Sequence, residues 1–218
     1  MKQILNLNNK KYEFNFTLNS TGNLSLIEFI EAIGIHIPNF CYNQELSIAG
    51  NCRMCFIESK NAIKPVISCA INLKSYLNSE IFTESPLIYK SRENILEFLL
   101  LNHPIDCTIC DQAGECDLQD HSLIHGIASK RFYKYKRMVD DKYIGPVIMT
   151  AMTRCIHCTR CIRFCFEIAG LKELGIFGRG VYSEVGIYKL NGQLTSELSG
   201  NLIDLCPVGS FTKLLRYI

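Results

Sequence analysis

Apolar and polar positions alternate along the chain in short amphipathic segments. Residues 3–17, QILNLNNKKYEFNFT, read as two strands about a polar Asn–Asn–Lys–Lys stretch, which predicts a hairpin. Residues 24–34, LSLIEFIEAIG, change to a helical period, with Leu26, Phe29, Ile30 and Ile33 on one face. Ser25 and Glu28 have the spacing of a capping box, and Gly34 suits the first position beyond the helix. A second helix is predicted over 86–102, with Ser85 as cap, Pro86 in the first turn, and Ile88, Ile95, Phe98 and Leu99 as its apolar face. Pro104 disfavours helical backbone at His103, so His103 should leave a helix end and point into the following loop.

Beyond residue 111 the pattern weakens. The polar stretch 111–146, including GIASKRFYKYKRMVDD, reads as a helix fragment and a connector. CIHCTRCIRFCFEIAG (155–170) reads as a loop and then a helix ending at Gly170, and SELSGNLIDLCPVGSFT (196–212) closes the chain. No fixed-period repeat is visible. The longest apolar run, ILEFLLL (95–101), is far too short to span a bilayer. Residues 2–18 alternate like strands from the start, so neither a signal nor a transit peptide is expected.

Composition adds that 218 residues, 48% of them hydrophobic, can build a real core in one large domain or two to three small ones. A net charge of +2, with no basic stripe interleaved with aromatics, argues against a nucleic-acid partner. The informative number is twelve cysteines. A secreted disulfide framework is disfavoured because there is no signal peptide and the CxxC pairs are dense. Two thiolates on one side of a tight turn suit a metal better than a distant cysteine.

Three four-ligand sets emerge. Cys41, Cys52, Cys55 and Cys69 are spaced C-x10-C-x2-C-x13-C. This resembles the plant-type ferredoxin pattern except in its first gap and suggests a [2Fe–2S] site, with a four-cysteine structural zinc as the alternative. Gly50 lets that loop turn tightly. His103, Cys107, Cys110 and Cys116 form the second set. Three cysteines cannot close a four-ligand site, His103 is the nearest suitable residue, and Asp106 is a harder and less apt substitute. Gly114 frees this loop. Replacing a thiolate by neutral imidazole should raise the reduction potential, whereas the nearby Asp106, Asp111, Glu115, Asp117 and Asp120 oppose that effect.

The third set is Cys155, Cys158 and Cys161 with a fourth ligand. Cys165 has bacterial ferredoxin spacing, but it is followed by Phe166, while Cys206 precedes Pro207, and there is no second triplet for Cys165 to serve. Cys206 is therefore taken as the ligand and Cys165 as a buried thiol. Arg53, Arg154, Arg160 and Arg163 lie beside ligands, where they could tune potentials, be solvated or meet a partner. His36, His121, His125 and His157 are read as ordinary residues.

The expected architecture is α+β in three parts. Residues 1–78 form a β-grasp, ferredoxin-like domain with the [2Fe–2S] site. Residues 79–140 form a small helical domain with the histidine-plus-cysteine site. Residues 141–218 form a ferredoxin-like domain with the all-cysteine site.

FCYNQELSIAGNCRMC, FLLLNHPIDCTICDQAGECDLQD, MTRCIHCTRCIRFC and ELSGNLIDLCPVGSFT, in this order, resemble the large iron–sulfur subunit of the peripheral arm of respiratory complex I, NADH:ubiquinone oxidoreductase. The resemblance covers nearly the whole chain. It implies one [2Fe–2S] cluster on Cys41, Cys52, Cys55 and Cys69. It also implies one [4Fe–4S] cluster on His103, Cys107, Cys110 and Cys116, and another on Cys155, Cys158, Cys161 and Cys206, while Cys165 matches no family ligand. Family members usually continue into a long region similar to molybdopterin oxidoreductases. Here the sequence stops twelve residues after Cys206, and that region is expected on a separate chain or lost.

The expected role is electron relay inside an enzyme. By resemblance, electrons would come from NADH through a flavin on a partner subunit and leave toward ubiquinone through a downstream iron–sulfur subunit. No GxGxxG, P-loop or nucleophile triad is present, so no substrate site is expected on the chain itself. The electron-input module of an iron hydrogenase starts similarly but continues with two adjacent ferredoxin motifs. A zinc-stabilised structural protein and a free-thiol sensor are the other classes considered. The amino-acid usage, rich in Asn, Ile, Lys, Tyr and Phe and without Trp, points to an organelle-encoded chain on the matrix side of the mitochondrial inner membrane, with a bacterial cytoplasmic membrane face as the alternative.

Overall fold

A computed structural model describes residues 2–15, 24–127, 129, 131–133, 135–188 and 192–214. The last residues of the expected hairpin, beyond Asn15, lie outside that set. The chain divides into two units, Met1–Gln44 with Gly50–Ile95, and Glu45–Ala49 with Leu96–Ile218.

In the first unit β1 (Lys2–Leu7) and β2 (Lys10–Asn15) form the expected hairpin. Asn8 and Asn9 both adopt positive φ, 50° and 64°. Asparagine tolerates this left-handed backbone, and a two-residue turn of that shape matches the twist of the flanking strands. Helix α1 (Leu26–Ala32) begins at the expected capping box. The Ser25 N–H donates to the Glu28 carboxylate at 2.7 Å, and the Glu28 N–H donates to the Ser25 hydroxyl at 3.4 Å. Leu26, Ile27, Phe29 and Ile30 are buried in one core with Leu5, Leu7, Ile57 and Ile81. Ser25→Ala should lower stability by about 1 kcal/mol in urea unfolding, as loss of an N-cap does elsewhere.

The sheet is completed by β3 (Phe56–Ser59), β4 (Val66–Ile67) and β5 (Glu80–Phe82), in the order β2-β1-β5-β3-β4. β5 runs parallel to β1 and antiparallel to β3. The Asn8 side chain fixes this junction, donating to the Thr83 hydroxyl at 2.8 Å and accepting the Thr83 N–H at 2.9 Å.

Helix α2 (Pro86–Asn102) has the expected bounds, and the Ser85 hydroxyl accepts the Ile88 N–H at 3.3 Å. Its expected apolar face needs correction, because Phe98 is 70% exposed. The buried stripe runs through Ile88, Arg92 and Leu96 instead. A charge at position 92 disguised that stripe and turned the sequence-based face toward Phe98.

The second unit contains α3 (Asp117–His125), β6 (Ile148–Thr150), α4 (Arg160–Glu167), β7 (Leu174–Phe177), β8 (Glu184–Ile187), α5 (Asn201–Leu205) and β9 (Phe211–Lys213). α3 is the helix fragment expected after residue 111. β6 pairs with β9 and β7 with β8, both antiparallel. These short strands carry no alternation long enough to signal them. α4 stops at Glu167, a little before the expected end. Gly170 (φ 69°) supplies the left-handed residue that lets the Leu171 N–H reach back to the Cys165 carbonyl at 2.8 Å. Ile144, Ile148, Met152, Phe164, Leu174, Leu202 and Phe211 form the core, together with Cys161 and Cys165. Among the described residues no helix is long and apolar enough to cross a membrane.

Candidate metal centres

Each of the twelve cysteines is a free thiol. In the first unit Cys41, Cys55 and Cys69 are buried and Cys52 is partly so. The loop that presents them turns at Gly50 (φ 59°) and Arg53 (φ 64°). The four thiols stand in two hydrogen-bonded pairs, Cys41 with Cys52 and Cys55 with Cys69, and the pairs lie within each other's electrostatic field. Hydrogen bonds from the Cys69 thiol, the Cys69 amide and the Ser68 hydroxyl lower the Cys55 thiol to about 7 against the opposing effect of burial. Cys52 and Cys69, each bonded to a partner sulfur and buried, are pushed up. Backbone amides of Met54 and Phe40 also face the Cys52 sulfur. Among the described residues no three His, Cys, Asp or Glu side chains close on one point as a single metal ion would require.

In the second unit the strand pair β6–β9 anchors the two loops that bear the third set, Cys155 just after β6 and Cys206 just before β9. Between the cysteines, His157 and Thr159 take positive φ, 55° and 65°. This alternation turns backbone N–H groups inward as an anion-binding concavity. The His157 N–H meets the Cys155 sulfur at 3.4 Å, and the Arg160 amide faces Cys158. The amides of Val208, Phe211 and Ser210 face Cys206. Burial raises the Cys155 thiol to about 11 and the Cys158 thiol to about 12, and it pushes up Cys161 and Cys206 as well. Cys161 feels the charges of Cys158, Cys155 and Cys206 and, least of the four, Cys165. Cys165 neighbours Cys161, but its own thiol, raised to about 11, answers to burial and to the Glu173 carboxylate.

The second set is built around Arg154, whose place next to Cys155 gave only a weak hint of this. Its guanidinium grips the Asp106 carboxylate, with Nε at 3.1 Å and Nη2 at 2.8 Å from Oδ2. Those hydrogen bonds hold the Asp106 carboxyl below its usual range. The Arg154 backbone bonds the His103 imidazole, and its charge faces Cys110. His103 leaves the end of α2 as expected, and burial lowers its pKa. Its Nδ1 is buried with no hydrogen-bond partner among the described residues. The backbone contact therefore belongs to Nε2, which leaves a lone pair on Nδ1 for an electrophile. A ligating histidine commonly has its second nitrogen tied to a carbonyl in this way.

Cys107 opens a one-turn 3-10 helix, Cys107–Ile109, and is exposed. The amides of Leu118 and Gln119 at the start of α3 face the sulfur of Cys116, which also lies in the field of Cys110. Gly114 (φ 87°) makes the turn between Cys110 and Cys116. The two sets of this unit share a wall. The Pro207 carbonyl, next to Cys206, accepts the Asp117 N–H at 3.1 Å and lies 3.8 Å from the Cys116 sulfur. A Cβ on Gly209 would stand 2.4 Å from the Cys110 sulfur.

The other arginines differ in role. Arg160 pairs with Asp117 at 3.8 Å, Arg163 donates to the Ser47 carbonyl, and Arg53 is exposed. His157 Nε2 lies 2.9 Å from the Ser183 carbonyl, in keeping with an ordinary role. Sequence reasoning missed Arg92, which is buried in the first unit and stands in the field of Cys55.

Two family models match. Residues 92–131 match the NADH-ubiquinone oxidoreductase-G iron-sulfur binding region. Residues 145–212 match the ferredoxin-like domain of NADH-quinone oxidoreductase subunit 3. With the gathered thiols and their amides, these regions define a ferredoxin-like iron–sulfur protein of mixed α and β structure.

The sequence is 55% identical over 188 residues to the NADH-ubiquinone oxidoreductase 75 kDa subunit of Reclinomonas americana, covering 86% of this chain and 27% of that protein. It is 52% identical to the mitochondrial NADH dehydrogenase [ubiquinone] iron-sulfur protein 1 of Solanum tuberosum (87% and 25%). It is 54% identical to an NADH-quinone oxidoreductase subunit of Rickettsia felis (81% and 26%). The chain belongs to this family of large iron–sulfur subunits of complex I, as its N-terminal iron–sulfur part, and it spans about a quarter of the length of these curated relatives. Its fold is shared with a chain of an NAD+-reducing [NiFe]-hydrogenase in the H2-reduced state, at a TM-score of 0.83 and 24% identity over 97% of this chain and 87% of that one.

Proposed function

We propose that the chain relays electrons within the peripheral arm of complex I, through one [2Fe–2S] and two [4Fe–4S] clusters. They would lie in three consecutive parts, residues 1–78, 79–140 and 141–218. Cys41, Cys52, Cys55 and Cys69 would hold the first, His103, Cys107, Cys110 and Cys116 the second, and Cys155, Cys158, Cys161 and Cys206 the third. When bound, such clusters supply one-electron transfer at potentials set by charge, hydrogen bonds and exposure.

The observation that carries this reading is the grouping of the ligands. Two pairs of thiols suit a two-iron rhomb, in which each iron takes two thiolates. The distant Cys206 joins the triplet of Cys155, Cys158 and Cys161, and His103 offers an unpartnered Nδ1 where a fourth cysteine is lacking. The protein's own contribution is to bury or half-bury every one of these thiols but Cys107, aim amides at several of them and orient the imidazole through the Arg154 backbone. The flavin- and NADH-binding subunit would lie upstream, and a further iron–sulfur subunit toward ubiquinone would lie downstream. The location would be the matrix side of the mitochondrial inner membrane, with the chain organelle-encoded, or the equivalent face of a bacterial membrane.

Metal and acid-labile sulfide analysis of the anaerobically purified full chain, with low-temperature electron paramagnetic resonance, tests the reading. About ten irons per chain with matching sulfide, and one two-iron and two four-iron signals, are expected. Zinc without sulfide would replace the relay with a structural role.

A further inference from the structure

Arg92 is 2% exposed, in the middle of α2. A guanidinium stays protonated in proteins and offers five N–H donors. Here Nη2 donates to the Phe56 carbonyl at 3.2 Å, while Nε has no partner among the described residues. Phe56 directly follows Cys55, so the cation is tied to the backbone that presents a candidate ligand.

A buried charge is costly unless an opposite charge offsets it. The anionic groups whose fields reach Arg92 are Tyr89, Glu84 and Cys55. Tyrosine is neutral at ordinary pH. Glu84 is exposed, so solvent and salt weaken its field. Cys55, 1% exposed, is the one buried member of the three. The buried position of Arg92 and its tie to the backbone beside Cys55 make the first thiol set the nearest buried seat for a balancing negative charge.

We infer that Arg92 is the internal counter-charge of the Cys41, Cys52, Cys55 and Cys69 site, and that it holds the potential of the group bound there above the value four thiolates alone would set. The inference rests on the cluster reading above. Arg92 touches no ligand atom and acts through its field, as a tuning residue. A fixed cation in a poorly polarisable interior favours whichever bound state carries more negative charge, which is the reduced one. The Phe56 hydrogen bond and the surrounding core keep the guanidinium from turning away to water.

The test is a redox titration of the two-iron resonance in the reconstituted full chain, for wild type, Arg92→Met and Arg92→Lys. In Arg92→Met the ratio of reduced to oxidised two-iron centre at a fixed poise should fall at least about tenfold, a downward shift of about 59 mV for one electron. Arg92→Lys should recover most of that shift, and the four-iron signals should stay in place. A two-iron signal whose midpoint ignores Arg92→Met, or falls equally in Arg92→Lys, overturns the role of Arg92 and leaves the cluster reading standing. Absence of any two-iron signal from wild type refutes the cluster reading itself and this inference with it. Should Arg92→Met fail to take up iron, urea unfolding of the metal-free chains decides. Removal of an unbalanced buried charge predicts a midpoint at or above that of wild type, and a lower midpoint makes Arg92 a packing residue.

Discussion

Cys206→Ser is expected to abolish one of the two four-iron signals of the reconstituted chain, with the loss of about four irons, while Cys165→Ser leaves every signal in place. Both cysteines lie close to the triplet in sequence or in space, and Cys165 has the more familiar spacing. What separates them is the set of charges and amides around each. Cys206 shares its field with Cys155, Cys158 and Cys161 and receives the amides of Ser210 and Phe211. Cys165 is buried in the core of the same unit, and its thiol answers to burial and to the charge of Glu173 with no amide beside it in that balance. Iron analysis and electron paramagnetic resonance on both variants decide between them. Loss of a four-iron signal in Cys165→Ser with retention in Cys206→Ser would exchange their roles.

Gly209→Ala should have a comparably large effect at the other site of the same unit. One added methyl would stand 2.4 Å from the Cys110 sulfur and 3.1 Å from Gln112 Cβ. Cysteine has a single rotatable bond, and a sulfur held by iron has no freedom to retreat. The expected outcome is loss or severe broadening of the four-iron signal assigned to His103, Cys107, Cys110 and Cys116, with the two-iron signal unchanged. An unaltered set of resonances would show that the wall formed by Pro207, Val208 and Gly209 yields easily. The variant also probes a dependence invisible in the motifs, since a residue of the Cys206 loop shapes a proposed site whose residues lie about a hundred positions earlier.

The contrast between those residues shows what the amino-acid order can reveal. Ligand triplets are local, because chelation needs several thiols on one short loop, and so their spacing is readable. The place of His103 was legible for a similar reason, since Pro104 dictates where α2 ends. The capping box at Ser25 and the turn at Asn8 and Asn9 are local too, and both were found. Arg92, Gly209 and the grip of Arg154 on Asp106 depend on contacts between distant segments, which no spacing encodes. The Phe98 error has the same origin. A helix face was inferred from apolar residues, while the fold buries a cation there. Strands β6 to β9 escaped notice because three or four residues are too few to establish an alternation.

The parallel pairing of β5 with β1 has a consequence for biogenesis. As the chain leaves the ribosome, all four thiols of the first unit have been made before the strand that completes its sheet at residues 80–82. Until then the inner edge of the N-terminal hairpin lacks its neighbour, and Asn8 lacks Thr83. Closure across so long a stretch of chain is slow compared with hairpin formation. Iron delivered to the nascent thiols would therefore meet an unfinished scaffold, which makes late loading, after β5 has docked, the order that the topology favours.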